Sequence, residues 1–323
     1  MTALTRAEAT TLLIRYGLRA HLVEPLPGGM ENTHIKAWTG DGTVVVTVLG
    51  KKDHRQAQEY TRFLGHLIAV GVPLPALRRT LDGDTVTGYR DRPVIVCDYV
   101  AGTSPDPPAS VTVRRIGTLL ATAVHRPAPA GMGLLSPHLR LADTDAHTLD
   151  ELPDTEFGRW ARRTWQAVSH VPDQPGTTVP IHADLFPDNV IVTSDDDLVL
   201  IDWEDGSLDL PVIDLGMAIL GLCCTPSFSP SRVWALLLGY QDGGASLPDL
   251  DLLRDAARYA AVLVALRRYR WQQKRNLPAD PTRTAEACRQ AEALLIRGWT
   301  QLSRQLSVRS GIPAPDLLHH RKD

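Results

Sequence analysis

The stretch Ile181-His182-Ala183-Asp184-Leu185-Phe186-Pro187-Asp188-Asn189-Val190-Ile191-Val192, followed by the polar turn Thr193 to Asp197 and by Leu198 to Asp202, decides how this chain is read. Two short apolar runs flank an acidic turn, the pattern of a β-hairpin. Folded symmetrically about Asp195 and Asp196, the hairpin pairs Asn189 with Asp202, and opposite residues in such a ladder sit about 4.5–5.5 Å apart at Cα. An amide oxygen and a carboxylate then converge. Hard oxygen donors in that arrangement suit Mg²⁺, which keeps several waters and takes one or two protein ligands alongside substrate phosphates. Asp184 lies on the loop entering the hairpin, where it can accept a proton from an attacking hydroxyl without holding the metal. The three consecutive aspartates Asp195 to Asp197 read as a solvated turn. His182, just before the loop, reads as a residue that holds backbone through a hydrogen bond.

Outward from this stretch, the N-terminal third has a different texture. Thr5 to Tyr16 shows helical spacing, and Thr5 with Glu8 resembles a capping box. Next come Pro27 to Thr33 with Gly28-Gly29, a strand over His34–Trp38, a turn at Gly40 to Gly42, and a β-branched run over Thr43–Leu49. Helical periodicity returns over Arg55–Val70 and stops at Gly71, Pro73 and Pro75. A second hairpin over Leu77–Tyr89 and Pro93–Val100 completes a β-β-α-β-β order. This predicts a mostly antiparallel sheet with one packed helix. The Gly, Ser and Pro residues of Ala101 to Pro108 mark the boundary of this part. Residues 1–98 read as an N-terminal lobe and 99–323 as a larger, mainly helical one, with a hinge about 97–104. Long helices are predicted near 231–241, 251–275 and 282–307.

The composition narrows the function classes. The chain has 323 residues, 34 Lys+Arg against 37 Asp+Glu and a net charge of −3. A polybasic nucleic-acid-binding arm is excluded, and no repeat of solenoid or propeller length is present. Four cysteines, Cys97, Cys223, Cys224 and Cys288, form no CxxC pair and have no His at zinc spacing, which fits reduced thiols and a cytoplasmic protein. No apolar run reaches the roughly 20 residues of a membrane span. The partners expected are small molecules rather than nucleic acid or membrane, for a monomer or homodimer.

These motifs resemble those of the aminoglycoside phosphotransferase and homoserine kinase group, small-molecule relatives of the protein kinases. His182-Ala183-Asp184 through Asn189 is similar to the group's catalytic loop, and Ile201-Asp202-Trp203-Glu204 to its metal-binding motif. Asp209-Leu210-Pro211 with Asp214-Leu215 is similar to its downstream structural stretch. The resemblance implies an α+β, bilobal protein-kinase-like fold using ATP (or GTP) and Mg²⁺. It makes Asp184 the base, Asn189 and Asp202 the metal ligands, and Asp214 a buried carboxylate bracing the loop. Glu31-Asn32-Thr33 resembles the nucleotide-loop segment, so Gly28, Gly29, Asn32 and Thr33 are expected at the phosphates. The backbone of Asp98 and Val100 is expected at the adenine edge, where Cys97 reads as a buried small residue.

The chain departs from the group in one respect. Thr47 stands where many relatives carry a strand lysine, the usual partner of the helix glutamate that Glu59 matches. Homoserine kinases of the group likewise carry Thr there. Lys51 or Lys52 is the candidate replacement charge. The expected activity is phosphorylation of a small-molecule hydroxyl, first an antibiotic of aminoglycoside or nucleoside type in a resistance or self-protection role, alternatively homoserine or another amino alcohol. A nucleotide-binding pseudoenzyme is the alternative of another class. Two features bearing on the acceptor point in opposite directions. The acidic stretch Asp143 to Glu156 suits a cationic acceptor, whereas Arg254, Arg258, Arg267, Arg268, Arg270, Lys274 and Arg275 on a C-terminal helix suit an anionic one. Trp160, Trp165, Trp203, Trp234 and Trp271 read mainly as packing residues.

Overall fold

The computed structural model describes residues 4–26, 32–129, 132, 139–140, 143–275 and 284–310. The chain divides into two compact units, Met1–Thr103 with Ala128–Leu135 and Val190–Glu204, and Ser104–Pro127 with Ser136–Asn189 and Asp205–Asp323.

In the first unit, helix α1 (Arg6–Ile14) starts at Thr5, whose side chain accepts from Glu8 N while Glu8 returns a bond to Thr5 N, the capping box expected from sequence. Strands β1 (Ala20–Pro25), β2 (Thr33–Thr39), β3 (Gly42–Val48), β4 (Thr87–Tyr89) and β5 (Arg92–Asp98) form an antiparallel sheet of order β1-β2-β3-β5-β4. The period-2 alternation of β3 sends Val44, Val46 and Val48 into a core with Ile35, Ala37, Val94 and Val96, and α1 adds Leu12 and Leu13 to that core. Two helices therefore serve the sheet where one was expected, the other being α2 (His54–Ala69), capped by Asp53 in a second capping box. Strand β1 is also additional to the sequence expectation.

The second predicted hairpin is shorter than expected. Residues 78–86 are not strand, and Leu77 makes only an isolated bridge to Cys97. Thr80, Asp84 and Gly83 instead close a local turn by backbone bonds, because Asp82-Gly83-Asp84 favours turn chemistry over a ladder.

Strands β7 (Val190–Val192) and β8 (Leu198–Leu200) form the expected hairpin. They join the first unit through the paired main chains of Thr103 and Val192 and a bond from Leu200 N to Pro73 O at 2.9 Å. The register differs from the symmetric fold by one residue: Val190 faces Leu200 and Val192 faces Leu198. The loop has five residues, closed by Thr193 N to Asp197 O at 2.9 Å and helped by the left-handed Asp196 (φ 63°), so the turn is centred on Asp195. The expected ladder pairing of Asn189 with Asp202 is therefore incorrect. Asp202 has left the extended conformation altogether, with φ 59°.

The second unit contains α3 (Ser110–Leu119), α4 (Asp143–Glu151), α5 (Glu156–Val168), the ribbon of β6 (Val179–Ile181) with β9 (Ser207–Asp209), and α6 (Pro211–Cys223), α7 (Pro230–Asp242), α8 (Leu250–Arg275) and α9 (Ala285–Ser310). Helix α6 is apolar on nearly every side and is buried along its whole length apart from Pro211 at its start. It packs on α8 with Gly216 against Ala256, where any side chain at 216 would strike the α8 backbone. Among the described residues, no helix is long and apolar enough to cross a membrane.

Candidate active site

In the second unit the catalytic-loop candidates are held from behind. Asp214, in the first turn of α6, accepts from His182 N at 3.0 Å and Ala183 N at 2.8 Å. His125, which follows a π-helical turn over Leu120–Val124, brings Nε2 to 3.0 Å from the same carboxylate and Nδ1 to 3.0 Å from the Tyr240 hydroxyl. Asp214 is fully buried. Burial alone would raise its pKa, but the His125 bond and charge, with the His182 N–H, outweigh that and hold it below the ordinary carboxylate range. The carboxylate thus fixes two successive amides, and Ala183, which carries the second, takes a left-handed conformation, φ 68°. Such backbone at a non-glycine residue persists only where its surroundings dictate it. His182 is buried too, and its Nδ1 accepts from Asp184 N at 3.3 Å.

Asp184 is thereby presented at the end of a braced turn. Asn189 donates Nδ2 to the Asp184 main-chain oxygen at 2.7 Å and to its carboxylate at 2.9 Å, while its own N–H goes to Phe186 O. Both donations come from the amide nitrogen, so the orientation of Asn189 is fixed by its partners and leaves Oδ1 as the face offered elsewhere. An amide oxygen and a carboxylate are the hard donors that Mg²⁺ takes, so Asn189 and Asp202 fit that ion in kind.

In the first unit, Asn32 is buried and accepts Gly50 N on Oδ1 at 2.8 Å, while its Nδ2 donates to the Glu204 carboxylate. Lys52 Nζ donates to the Glu204 main-chain oxygen at 3.1 Å and lies 5.2 Å from the Tyr60 ring centre. Trp203, between Asp202 and Glu204, is buried, bonded to Leu200 O and set edge-on to Phe63 of α2. The metal-motif segment is thus anchored to the loop end, to the chain after β3 and to α2. Thr33 is the first residue of β2, opposite Val48.

Thr47 faces His34 across the ladder, and its hydroxyl lies 3.0 Å from His34 Nδ1. Burial keeps the His34 imidazole below its ordinary pKa, hence neutral. Glu59 has Arg55 as its ion-pair partner at 3.5 Å, so the strand–helix pair of the protein kinases is replaced on both sides. Asp98 N already donates to Ala76 O at 2.9 Å, which removes that N–H from any base edge. Val100 lies just past the end of β5, and burial pushes the Cys97 thiol up to about 12, leaving it protonated and inert. Gly28 and Gly29 lie outside the described residues.

The opposing charges noted in sequence largely cancel within the second unit. Asp145, 1% exposed, accepts from Arg270 at 2.8 Å and Arg267 at 3.4 Å, and Arg258 pairs with the buried Glu292 at 2.9 Å. Arg268 remains at the loop, stacked 5.1 Å from the Phe186 ring. His125, bonded to Asp214 and Tyr240, belongs to no motif near the loop, whereas Lys52, bonded to the Glu204 main chain, is one of the two lysines the sequence offers as a replacement charge.

A family model described as "Phosphotransferase enzyme family", APH, matches residues 22–233. A homoserine kinase of Rhodopseudomonas palustris (strain HaA2) is 30% identical over 261 residues, covering 74% of this chain and 76% of its own. A homoserine kinase of Methylobacterium nodulans is 29% identical over 230 residues, 66% of this chain and 68% of its own. Among solved structures, spectinomycin phosphotransferase APH(9)-Ia with ADP and spectinomycin aligns with a TM-score of 0.68 at 15% identity, covering 92% of this chain and 98% of that one. Amicoumacin kinase hAmiN in complex with AMP-PNP, Ca²⁺ and Ami aligns with a TM-score of 0.66 at 12% identity, covering 93% of each chain. The fold is that of the protein-kinase-like phosphotransferases, with an antiparallel sheet in the N-terminal part and helices in the C-terminal part, as the sequence motifs implied.

Proposed function

The chain belongs to the APH phosphotransferase enzyme family, and we propose that it moves the γ-phosphoryl group of ATP or GTP to a hydroxyl of a small molecule with Asp184 as the base. The observation that carries this reading is the double donation from Asn189 Nδ2 to Asp184, which holds the carboxylate at one orientation on a loop braced by Asp214. A carboxylate so fixed can orient an acceptor hydroxyl and take its proton. Asn189 Oδ1 and the Asp202 carboxylate are the residues that would hold Mg²⁺, whose chemistry is to neutralise charge developing on the phosphates. Positioning and charge neutralisation then supply most of the rate.

The acceptor proposed first is a small amino alcohol of homoserine type. The relatives of that name span about three quarters or two thirds of the chain, and Asp145, central to the acidic stretch, is neutralised by its two arginines rather than offered to a cation. The second is an antibiotic hydroxyl of aminoglycoside or nucleoside type, in a resistance or self-protection role. It draws on the fold shared with spectinomycin phosphotransferase and amicoumacin kinase.

The test is nucleotide turnover over a panel of acceptors, wild type beside Asp184→Ala. Loss of the base should lower turnover by about 10²–10⁴. Equal rates would remove Asp184 from the mechanism. Homoserine turnover without growth protection supports the first acceptor, and protection against one antibiotic class supports the second.

A further inference from the structure

The nucleotide-handling half of the site lacks the cation that its relatives among the protein kinases place on the third strand. Thr47 fills that position with a neutral hydroxyl against a neutral imidazole. Glu59, the residue that would hold such a cation, is turned to Arg55 instead. Polyphosphate binding nevertheless requires positive charge close to the metal, because the phosphates carry more negative charge than one divalent ion neutralises.

Lys52 stands where that charge is needed. Its ammonium meets the main-chain oxygen of Glu204, two residues after Asp202, and lies over the Tyr60 ring. Both partners are neutral, so they orient the ammonium without cancelling its charge. Glu204 is in turn tied by its carboxylate to Asn32 Nδ2, and Asn32 Oδ1 takes Gly50 N. One chain of bonds therefore links the loop-end asparagine, the segment after β3 that carries Lys52, and the segment that carries Asp202. Lys36, also on this sheet, is differently engaged: its ammonium sits 3.6 Å from the Tyr99 ring centre and 4.8 Å from that of Trp38. It lies opposite Val45, at a register position nearer Asp98 than Thr47 is.

We propose that Lys52 is the phosphate-facing cation of this chain, moved from the strand position now held by Thr47 to the loop after the strand and aimed by Glu204 and Asn32. This rests on the phosphotransferase reading above and names the residue through which that site takes the triphosphate. A charge-assisted contact of this kind changes affinity by about 10- to 100-fold.

The experiment is equilibrium binding of Mg·ATP and of adenosine to the full chain, for wild type, Lys52→Met, Lys52→Gln, Lys52→Arg and Lys36→Met, with melting curves for each. The expected result is Mg·ATP binding weakened about 10- to 100-fold in Lys52→Met and Lys52→Gln, largely retained in Lys52→Arg and Lys36→Met, with adenosine affinity unchanged throughout. Adenosine carries no phosphate, so its loss in parallel would mark a structural role and overturn the proposal. Mg·ATP affinity within about twofold of wild type in both neutral variants would overturn it too, while leaving the phosphotransferase reading in place. A wild-type chain that binds no nucleotide would overturn both. Lys52→Gln is one bond shorter than lysine but keeps an N–H donor for the Glu204 main-chain oxygen, so it decides the matter if Lys52→Met melts early.

Discussion

The Asn189 amide nitrogen lies 2.9 Å from the Asp184 carboxylate and 2.7 Å from the Asp184 main-chain oxygen, so one side chain sets both the position and the orientation of the proposed base. Replacing Asn189 by Asp keeps the shape and exchanges this donor for a like charge. Two carboxylates at that separation cannot both ionise readily. Asn189→Asp should therefore lower kcat by about 10²-fold or more and move the acid limb of the pH–rate profile to higher pH. The measurement is kcat against pH for wild type and variant; an unshifted limb would show that the two side chains are not coupled during turnover.

The buried carboxylate of Asp214 makes the stability of the loop pH-dependent. Its pKa lies below the ordinary carboxylate range despite the opposing effect of burial, through the bonds from His125 and the His182 N–H. A depressed folded-state pKa contributes stability at pH values above the unfolded-state pKa, and that contribution is lost as pH falls through the folded-state value. Melting temperature should accordingly drop on acidification below the ordinary carboxylate range. In Asp214→Asn the acid dependence should flatten, and the neutral-pH stability should fall by about 3–5 kcal/mol, since one of the two amides loses its acceptor. Melting curves from neutral to acid pH for both proteins check the slope and the offset together.

Local signals in the sequence were sufficient for elements whose ends carry their own chemistry. Thr5 with Glu8 marks the start of α1 in sequence and in structure because the bonds that start a helix are made within four residues. The stretch from His182 to Asn189 is likewise local, and the structure joins its two ends by the bonds from Asn189 to Asp184. What could not be read was decided by register or by distant partners. Symmetric pairing about the polar turn misses the register of the hairpin after Asn189 by one residue, because turn composition does not say whether a loop has four or five residues and a single step moves every pairing. The pairing of Asp145 with Arg267 and Arg270 joins segments more than 100 residues apart, so each looked like an uncompensated charge run. The same holds for His125, whose role depends on α6 and α7 arriving beside it.

Gly221 of α6 supports the loop by what it lacks. A Cβ at this position would collide with the Leu185 carbonyl, one residue after Asp184. Gly221→Ala must push the loop or the helix away. Overpacking of this kind typically costs about 1–3 kcal/mol, and here the displaced backbone is that of Leu185, directly after the proposed base. Turnover should fall at least about tenfold while the melting temperature drops only as far as that cost requires. Steady-state kinetics beside a melting curve separates the two; a variant with wild-type kcat would mean that the helix, not the loop, gives way.

Asp209 and Arg140 form an ion pair whose carboxylate is fully buried. Asp209 is fully buried on β9, and Arg140 donates to both its oxygens, at 2.8 and 2.5 Å, while also reaching Pro172 O. Asp209 additionally takes Leu210 N, which sets the turn into α6 and hence the position of Asp214. Removing only the arginine leaves a carboxylate in the interior with its charge uncompensated, whereas removing both charges relieves the desolvation that the pair had offset. Arg140→Leu should then cost about 3 kcal/mol, toward the lower end for a buried pair because the guanidinium is one-third exposed. Arg140→Leu combined with Asp209→Leu should cost less than the sum of the two single changes. Denaturant unfolding of the four proteins of this cycle gives the coupling directly. Additive losses would show that Asp209 acts through Leu210 N alone and that Arg140 contributes only its contact with the Pro172 carbonyl.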